Sequence, residues 1–159
     1  MSARLTGGAA LVLLAISACA QPPAAEVPAP ACAAASPASL AGQPRWLGSC
    51  VAGRAEGMGV LRVGQAAPFG FFAGRMRAGR PATGIAIRRD GLFEPAMRYD
   101  AKGQAIPTDS LHPEQQDALF KQAAEAARTT AAGFARTGNR ASADYYRKLA
   151  VRIEQSLPE

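Results

Sequence analysis

A chain of 159 residues makes one compact domain or two small ones, and although 48% of it is hydrophobic, much of that is alanine and only 6% is aromatic, which excludes a large aromatic core. The 16 glycines and 12 prolines call for turns and a linker rather than long regular elements. The formal charge of +6, carried mainly by arginine, directs the chain toward anionic partners: nucleic acid, acidic lipid headgroups or acidic protein faces.

The N-terminus reads as an export signal over 1–18. Arg4 supplies the positive start, and Leu5 to Ile16 is an apolar run too short to span a bilayer as a helix but suited to a signal peptide. It runs into Ile16-Ser17-Ala18-Cys19, which resembles a bacterial lipobox. The resemblance implies cleavage before Cys19, a diacylglyceryl group on its thiol and a lipid-anchored protein of the bacterial cell envelope. With Ala20 rather than aspartate after the cysteine, the resemblance further implies the outer membrane, facing the periplasm, and makes nucleic acid an unexpected partner. The alternative is a soluble secreted protein cut near Ala18-Cys19-Ala20.

Over 19–44 the chain is rich in alanine and proline, and closely spaced prolines forbid helix and sheet interiors. This stretch is expected to be an extended tether, with packing on the domain only near Cys32. Once Cys19 is set aside, Cys32 and Cys50 are an even pair in an oxidising compartment, so a disulfide between them is expected; the alternative is Cys50 as a buried free thiol.

The first folded stretch runs from Trp46 to Val63. Gly48, Gly53, Gly57 and Gly59 punctuate it and leave Trp46, Cys50, Met58, Val60 and Leu61 to fill a core, the pattern of two short strands about a tight turn at Gly53. Phe72-Ala-Gly74-Arg-Met76-Arg-Ala-Gly79-Arg repeats Trp46-Leu-Gly48-Ser-Cys50-Val-Ala-Gly53-Arg at an offset of 26, and the match decays after Pro81. The pattern W-x-G-x-C-x-x-G-x-A-x-G-x-G resembles a MORN repeat, with Cys50 where that family more often has an aromatic. The resemblance implies a meander of hairpins over 45–103 that serves as a docking scaffold.

Ile85 and Ile87 alternate in strand fashion, Asp90-Gly91 signals a hairpin turn, and Phe93, Pro95, Met97 and Tyr99 share one face of a last strand, with Pro95 marking an edge or a bulge. Over 108–157 the periodicity changes. His112-Pro113 opens a helix with Phe120, Ala124, Ala127, Ala131 and Phe134 along one stripe, Thr137-Gly138-Asn139 breaks it, and Tyr146, Leu149, Ala150, Ile153 and Leu157 line a second helix. The fold class is therefore α+β: a short antiparallel meander of MORN-like hairpins followed by an antiparallel two-helix hairpin, which covers one face of the sheet and leaves the other free.

Arg45 to Lys102 contains ten Lys/Arg against four Asp/Glu, which is the whole of the net charge, whereas Gly103 to Glu159 is neutral. Arg75, Arg77 and Arg80 flank one turn and Arg88 and Arg89 another, so these five are the candidate partner-binding residues, read as one cationic rim. The lone histidine, the absence of a Cys/His cluster with metal-ligand spacing and the absence of a phosphate loop or nucleophile elbow give no catalytic constellation, no cofactor and no metal. The reading is a non-catalytic envelope lipoprotein whose sheet docks a protein partner. The alternatives are an arginine rim that binds anionic lipid headgroups or an envelope polymer, and a small enzyme using Asp90 and Glu94.

Overall fold

The computed structural model describes residues 32–106 and 112–156; the export segment, Cys19 and Leu157 lie outside them. The described chain is α+β. A five-stranded antiparallel sheet has the order β1 (Pro44–Trp46), β4 (Gly57–Val63), β5 (Gly70–Arg77), β6 (Arg80–Ile87), β7 (Phe93–Ala96), with a two-stranded ribbon of β2 (Cys50–Val51) and β3 (Arg54–Ala55). Two helices follow, α1 (Pro113–Arg136) and α2 (Arg140–Glu154). None of the described helices is long and apolar enough to cross a membrane.

The 26-residue offset is visible in the backbone. Strand β5 begins 26 residues after β1 begins and ends 26 residues after β2 ends, so the first unit is the same hairpin with its strands interrupted. Both units turn through an Ala-Gly pair with two positive φ angles, Ala52 (48°) and Gly53 (73°), then Ala78 (48°) and Gly79 (81°). This is the I′ geometry whose twist matches that of paired strands. In the second unit the register shifts between Arg75 and Met76, which leaves Ala82 without a cross-strand partner. Beyond that bulge the offset is 25, and Gly84 stands opposite Gly74 as Gly59 stands against Gly48, where an added Cβ would lie 3.1 Å from the Gly48 Cα. The decay of the repeat after Pro81 is thus a one-residue difference in bulging, not the loss of the hairpin.

Alternation assigns the two faces. Trp46, Leu61, Phe72 and Ala86 lie opposite one another across four strands, and the next row on that face is Gly59, Gly74, Gly84 and Ala96. Val60, Ala73 and Ile85 make a row on the other face, where they bury against α1 and α2. The alanine stripe of α1 (Ala123, Ala124, Ala127, Ala131) brings its backbone close to the sheet, and Phe120, Tyr146, Leu149 and Ile153 fill the remaining space. Thr130, on the same stripe, accepts a hydrogen bond at Oγ1 from the Val60 N–H (3.1 Å) beside the interruption between β1 and β2. Pro113 stands at the first helical position of α1, and Asn139 caps α2 by accepting from the Ser142 N–H (3.0 Å).

The second face is not free. Residues 33–44, expected as tether, run along it: the N–H groups of Ala33, Ala35 and Ala38 donate to Gly53, Gly79 and Gly103 (2.8, 2.7 and 2.8 Å), and Pro37 and Leu40 are buried. Proline bars a continuous ladder but leaves these three alanine N–H groups able to pair. The glycine row explains the need. With no side chains there, Trp46 and Phe72 lie low over the sheet, and Leu40 and Tyr99 close the surface above them; Tyr99 packs edge-on against Phe72 at 5.7 Å between ring centres. Tyr99 was expected on the face of Phe93 and Met97, but β7 ends at Ala96 and the following turn carries Tyr99 to the opposite cluster. Pro95 does stand on the edge strand.

Candidate anion-binding surface

The two I′ turns lie against each other at one end of the sheet. The Gly79 N–H donates to the Ala55 carbonyl (2.9 Å), the Ala55 N–H to Ala33 (3.0 Å), and Glu56 Oε2 accepts from the Ala78 N–H (2.8 Å). This stacking fixes the strand ends that carry arginine. Arg77 and Arg80 face each other across the second turn, Arg75 is exposed one pleat behind, and Arg54 leaves the first turn at the position equivalent to Arg80. Arg98 and Lys102, just past β7, are exposed, and Arg80 Nη1 donates to the Ala101 carbonyl (3.3 Å) beside Lys102.

No salt bridge among the described residues involves any of these cations. Two carboxylates of the region are engaged with backbone: Glu56 with Ala78, and Asp100 Oδ1 with the N–H groups of Lys102 and Gln104 (2.8 and 2.9 Å). Guanidinium groups held on strand ends outside any ion pair, six cations against the two carboxylates, form a forked donor surface for phosphate or carboxylate.

Arg88 and Arg89 are elsewhere, so the five candidate arginines do not make one rim. They follow β6, whose length separates them from Arg80 by roughly 23 Å. Arg88 pairs with Asp90 (2.8 Å) and Glu94 (3.5 Å), and Arg89 Nη2 donates to the Ala41 carbonyl (3.0 Å). Asp90 and Glu94 therefore both turn to one guanidinium on the surface. The error arose because turns adjacent in sequence alternate between the two ends of an antiparallel sheet. Arg54, which belongs to the turn end, is signalled in the sequence by the 26-residue offset from Arg80; nothing local in the sequence signals Arg98 or Lys102.

The Cα atoms of Cys32 and Cys50 lie 5.8 Å apart, within disulfide reach, next to the strand ribbon that begins at Cys50. Among the described residues no group of three His, Cys, Asp or Glu side chains is arranged to hold a metal ion. Comparison of the chain with protein-family models, with curated proteins and with solved structures gives no match.

Proposed function

We propose that this chain is a non-catalytic lipoprotein of the bacterial envelope, anchored through Cys19, that sets the turn end of its sheet against anionic lipid headgroups. One observation carries the reading: the segment that leads from Cys19 joins the fold at Ala33, between the two turns, at the same end as Arg54, Arg75, Arg77 and Arg80. The 13-residue step from Cys19 to Cys32 reaches at most about 45 Å, so a lipid anchored at Cys19 leaves this end, of all the fold, the first part able to touch the bilayer. Each arginine near an anionic surface contributes about 1 kcal/mol, and four to six together are a useful second signal beside a lipid anchor. The two units share I′ turns, and each has an aromatic ring lying over a glycine.

The test is vesicle sedimentation of the chain from Ala20 onward, so that the lipid anchor contributes nothing. Binding to vesicles containing phosphatidylglycerol, none to phosphatidylcholine alone, and loss with added salt are expected. Binding independent of lipid charge or of salt would sink the reading. A second reading, an acidic protein face at the same end, is favoured by arginine rather than lysine on ordered strand ends, which suits forked carboxylate recognition. Salt-sensitive capture of an acidic envelope protein without vesicle binding would establish it instead.

A further inference from the structure

Two other arginines of the β part stand directly opposite each other. Arg45 on β1 and Arg62 on β4 are cross-strand partners, on the face that carries the helices, and neither enters an ion pair among the described residues. Like charges in directly opposed positions destabilise a sheet, so this pair needs a compensating role. The Arg62 guanidinium lies over the Phe69 ring, 4.5 Å from its centre, and its Nε is buried with no hydrogen-bond partner.

Beside Arg62 opens a cleft of about 270 Å³, walled by Phe69 from the sheet side and by Ala141, Ser142, Tyr145 and Tyr146 from α2. Tyr145 is 48% exposed although its ring is held by neighbours, 5.2 Å from Tyr146 and 6.1 Å from Phe71 between centres. An exposed aromatic in a fixed frame is a platform for a flat or apolar group. At the start of α2 the Ser142 N–H is taken by Asn139 Oδ1 and the Arg140 N–H by the Gly138 carbonyl. A guanidinium fork pairs with carboxylate and phosphate alike, and the aromatic wall of this cleft favours an acid carried on a flat or apolar body.

We propose that this cleft binds a small carboxylate whose planar or apolar body lies on Tyr145, with its two oxygens on Arg62 and Arg45 adding positive charge behind. A cleft of this volume holds a single ring with its acid group. The site is separate from the turn end and does not depend on the function proposed for it.

The probe is N-acetylphenylalanine, titrated into the ¹⁵N-labelled chain and followed at the Arg62 Nε–H and at the Ser142 and Tyr145 amides; its carboxamide and inorganic phosphate are run in parallel. A saturable shift with the acid at millimolar concentration and none with the carboxamide are expected. The shift should weaken at least tenfold in Arg62→Gln and in Tyr145→Ala, and less in Arg45→Gln. Arg62→Lys, which keeps the charge but not the fork, should also weaken it, with unchanged amide dispersion showing that the fold persists. Arg75→Ala with Arg77→Ala and Arg80→Ala should leave it untouched. Equal shifts with acid and carboxamide, saturation by phosphate at the same resonances, or an unaltered affinity in Arg62→Gln would overturn the proposal.

Discussion

The indole of Trp46 fills the space in which a Cβ on Gly59 would stand, with two ring carbons 2.9 Å from that position. The same ring excludes a Cβ on Gly48, at 2.5 Å, and the Phe72 ring excludes one on Gly84, at 2.9 Å. Each repeat unit therefore lays its aromatic over a glycine of the neighbouring strand, and in the first unit the ring also covers the glycine of its own W-x-G. Gly59→Ala must push the indole aside and is expected to cost about 1–3 kcal/mol. Trp46→Ala, which removes a buried ring, is expected to cost about 3–5 kcal/mol. Gly74→Ala should exceed Gly59→Ala, because its Cβ would meet backbone, the Thr83 carbonyl oxygen at 2.3 Å, rather than a side chain. Urea unfolding followed by circular dichroism ranks the three, and Gly74→Ala at wild-type stability would refute the close approach of β5 and β6.

Thr130 is the buried polar residue of the helix–sheet interface, and its hydroxyl serves a strand rather than its own helix. Replacing it by valine keeps the shape but leaves the Val60 N–H buried without an acceptor. A loss of about 1–3 kcal/mol is expected. Thr130→Ser, which keeps the acceptor, should lose less; equal losses would mean that packing and not the hydrogen bond is at stake.

What was legible in the sequence was periodic or punctuated. The turns at Gly53 and Gly79, the alanine stripe of α1 and the break at Gly138 depend on neighbours within a few residues, the offset between Trp46 and Phe72 on repetition, and each stands where its spacing directs. The covered second face was not legible. Its cover comes from Tyr99 and from the segment of Pro37 and Leu40, which Ala33, Ala35 and Ala38 hold by single N–H bonds to distant turns, and a proline-rich composition carries no signal for isolated pairings of that kind. The arginine surface was half legible: Arg75, Arg77 and Arg80 do share one end, but separating Arg88 and Arg89 from them requires knowing which end of the sheet each turn occupies.

The cover over that second face begins at Cys32, 18 residues before Cys50. If the two cysteines are bridged as proposed, the crosslink holds residues 33–44 against the sheet and stabilises by about 3 kcal/mol in the chain-entropy account. Thiol labelling of the unreduced, unfolded protein should then modify neither residue, and reduction should lower the urea midpoint. Full labelling without reductant would leave the segment held only by its hydrogen bonds and by Leu40.

Burial pushes the Tyr146 hydroxyl up to about 12, with the Arg62 and Arg45 charges opposing in part, and burial and then the Glu94 charge push Tyr99 further. Both folded values exceed the unfolded value of about 10. The folded state thus holds these protons more tightly, and the contribution is complete below pH ~10 and lost as pH rises through the folded values. Thermal melts should fall more steeply above pH ~10 in the wild type than in Tyr146→Phe. Tyr99 Oη is buried with no partner among the described residues, so Tyr99→Phe is expected to raise stability, by about 1 kcal/mol. A destabilised Tyr99→Phe would mean that the hydroxyl is satisfied in solution.

The two groups of arginines give the last prediction, because they differ in the one property that matters for an anionic surface. Arg88 is already compensated by Asp90 and Glu94, and Arg89 holds the Ala41 carbonyl, so removing them frees acidic groups and loosens a loop without taking counter-charge from a partner. Arg75, Arg77 and Arg80 enter no ion pair among the described residues and sit where the segment that begins at Cys32 meets the fold. Alanine at all three should therefore abolish most binding to phosphatidylglycerol vesicles and flatten its salt dependence, since each lost contact contributes about 1 kcal/mol. Arg88→Ala with Arg89→Ala should leave the salt dependence nearly as it was. The comparison is informative only at matched net charge, and the two variants are best matched by adding a third, distant substitution, Arg152→Ala, to the Arg88/Arg89 pair. If the matched variants lose binding equally, total charge governs adsorption, and the turn end has no privileged role.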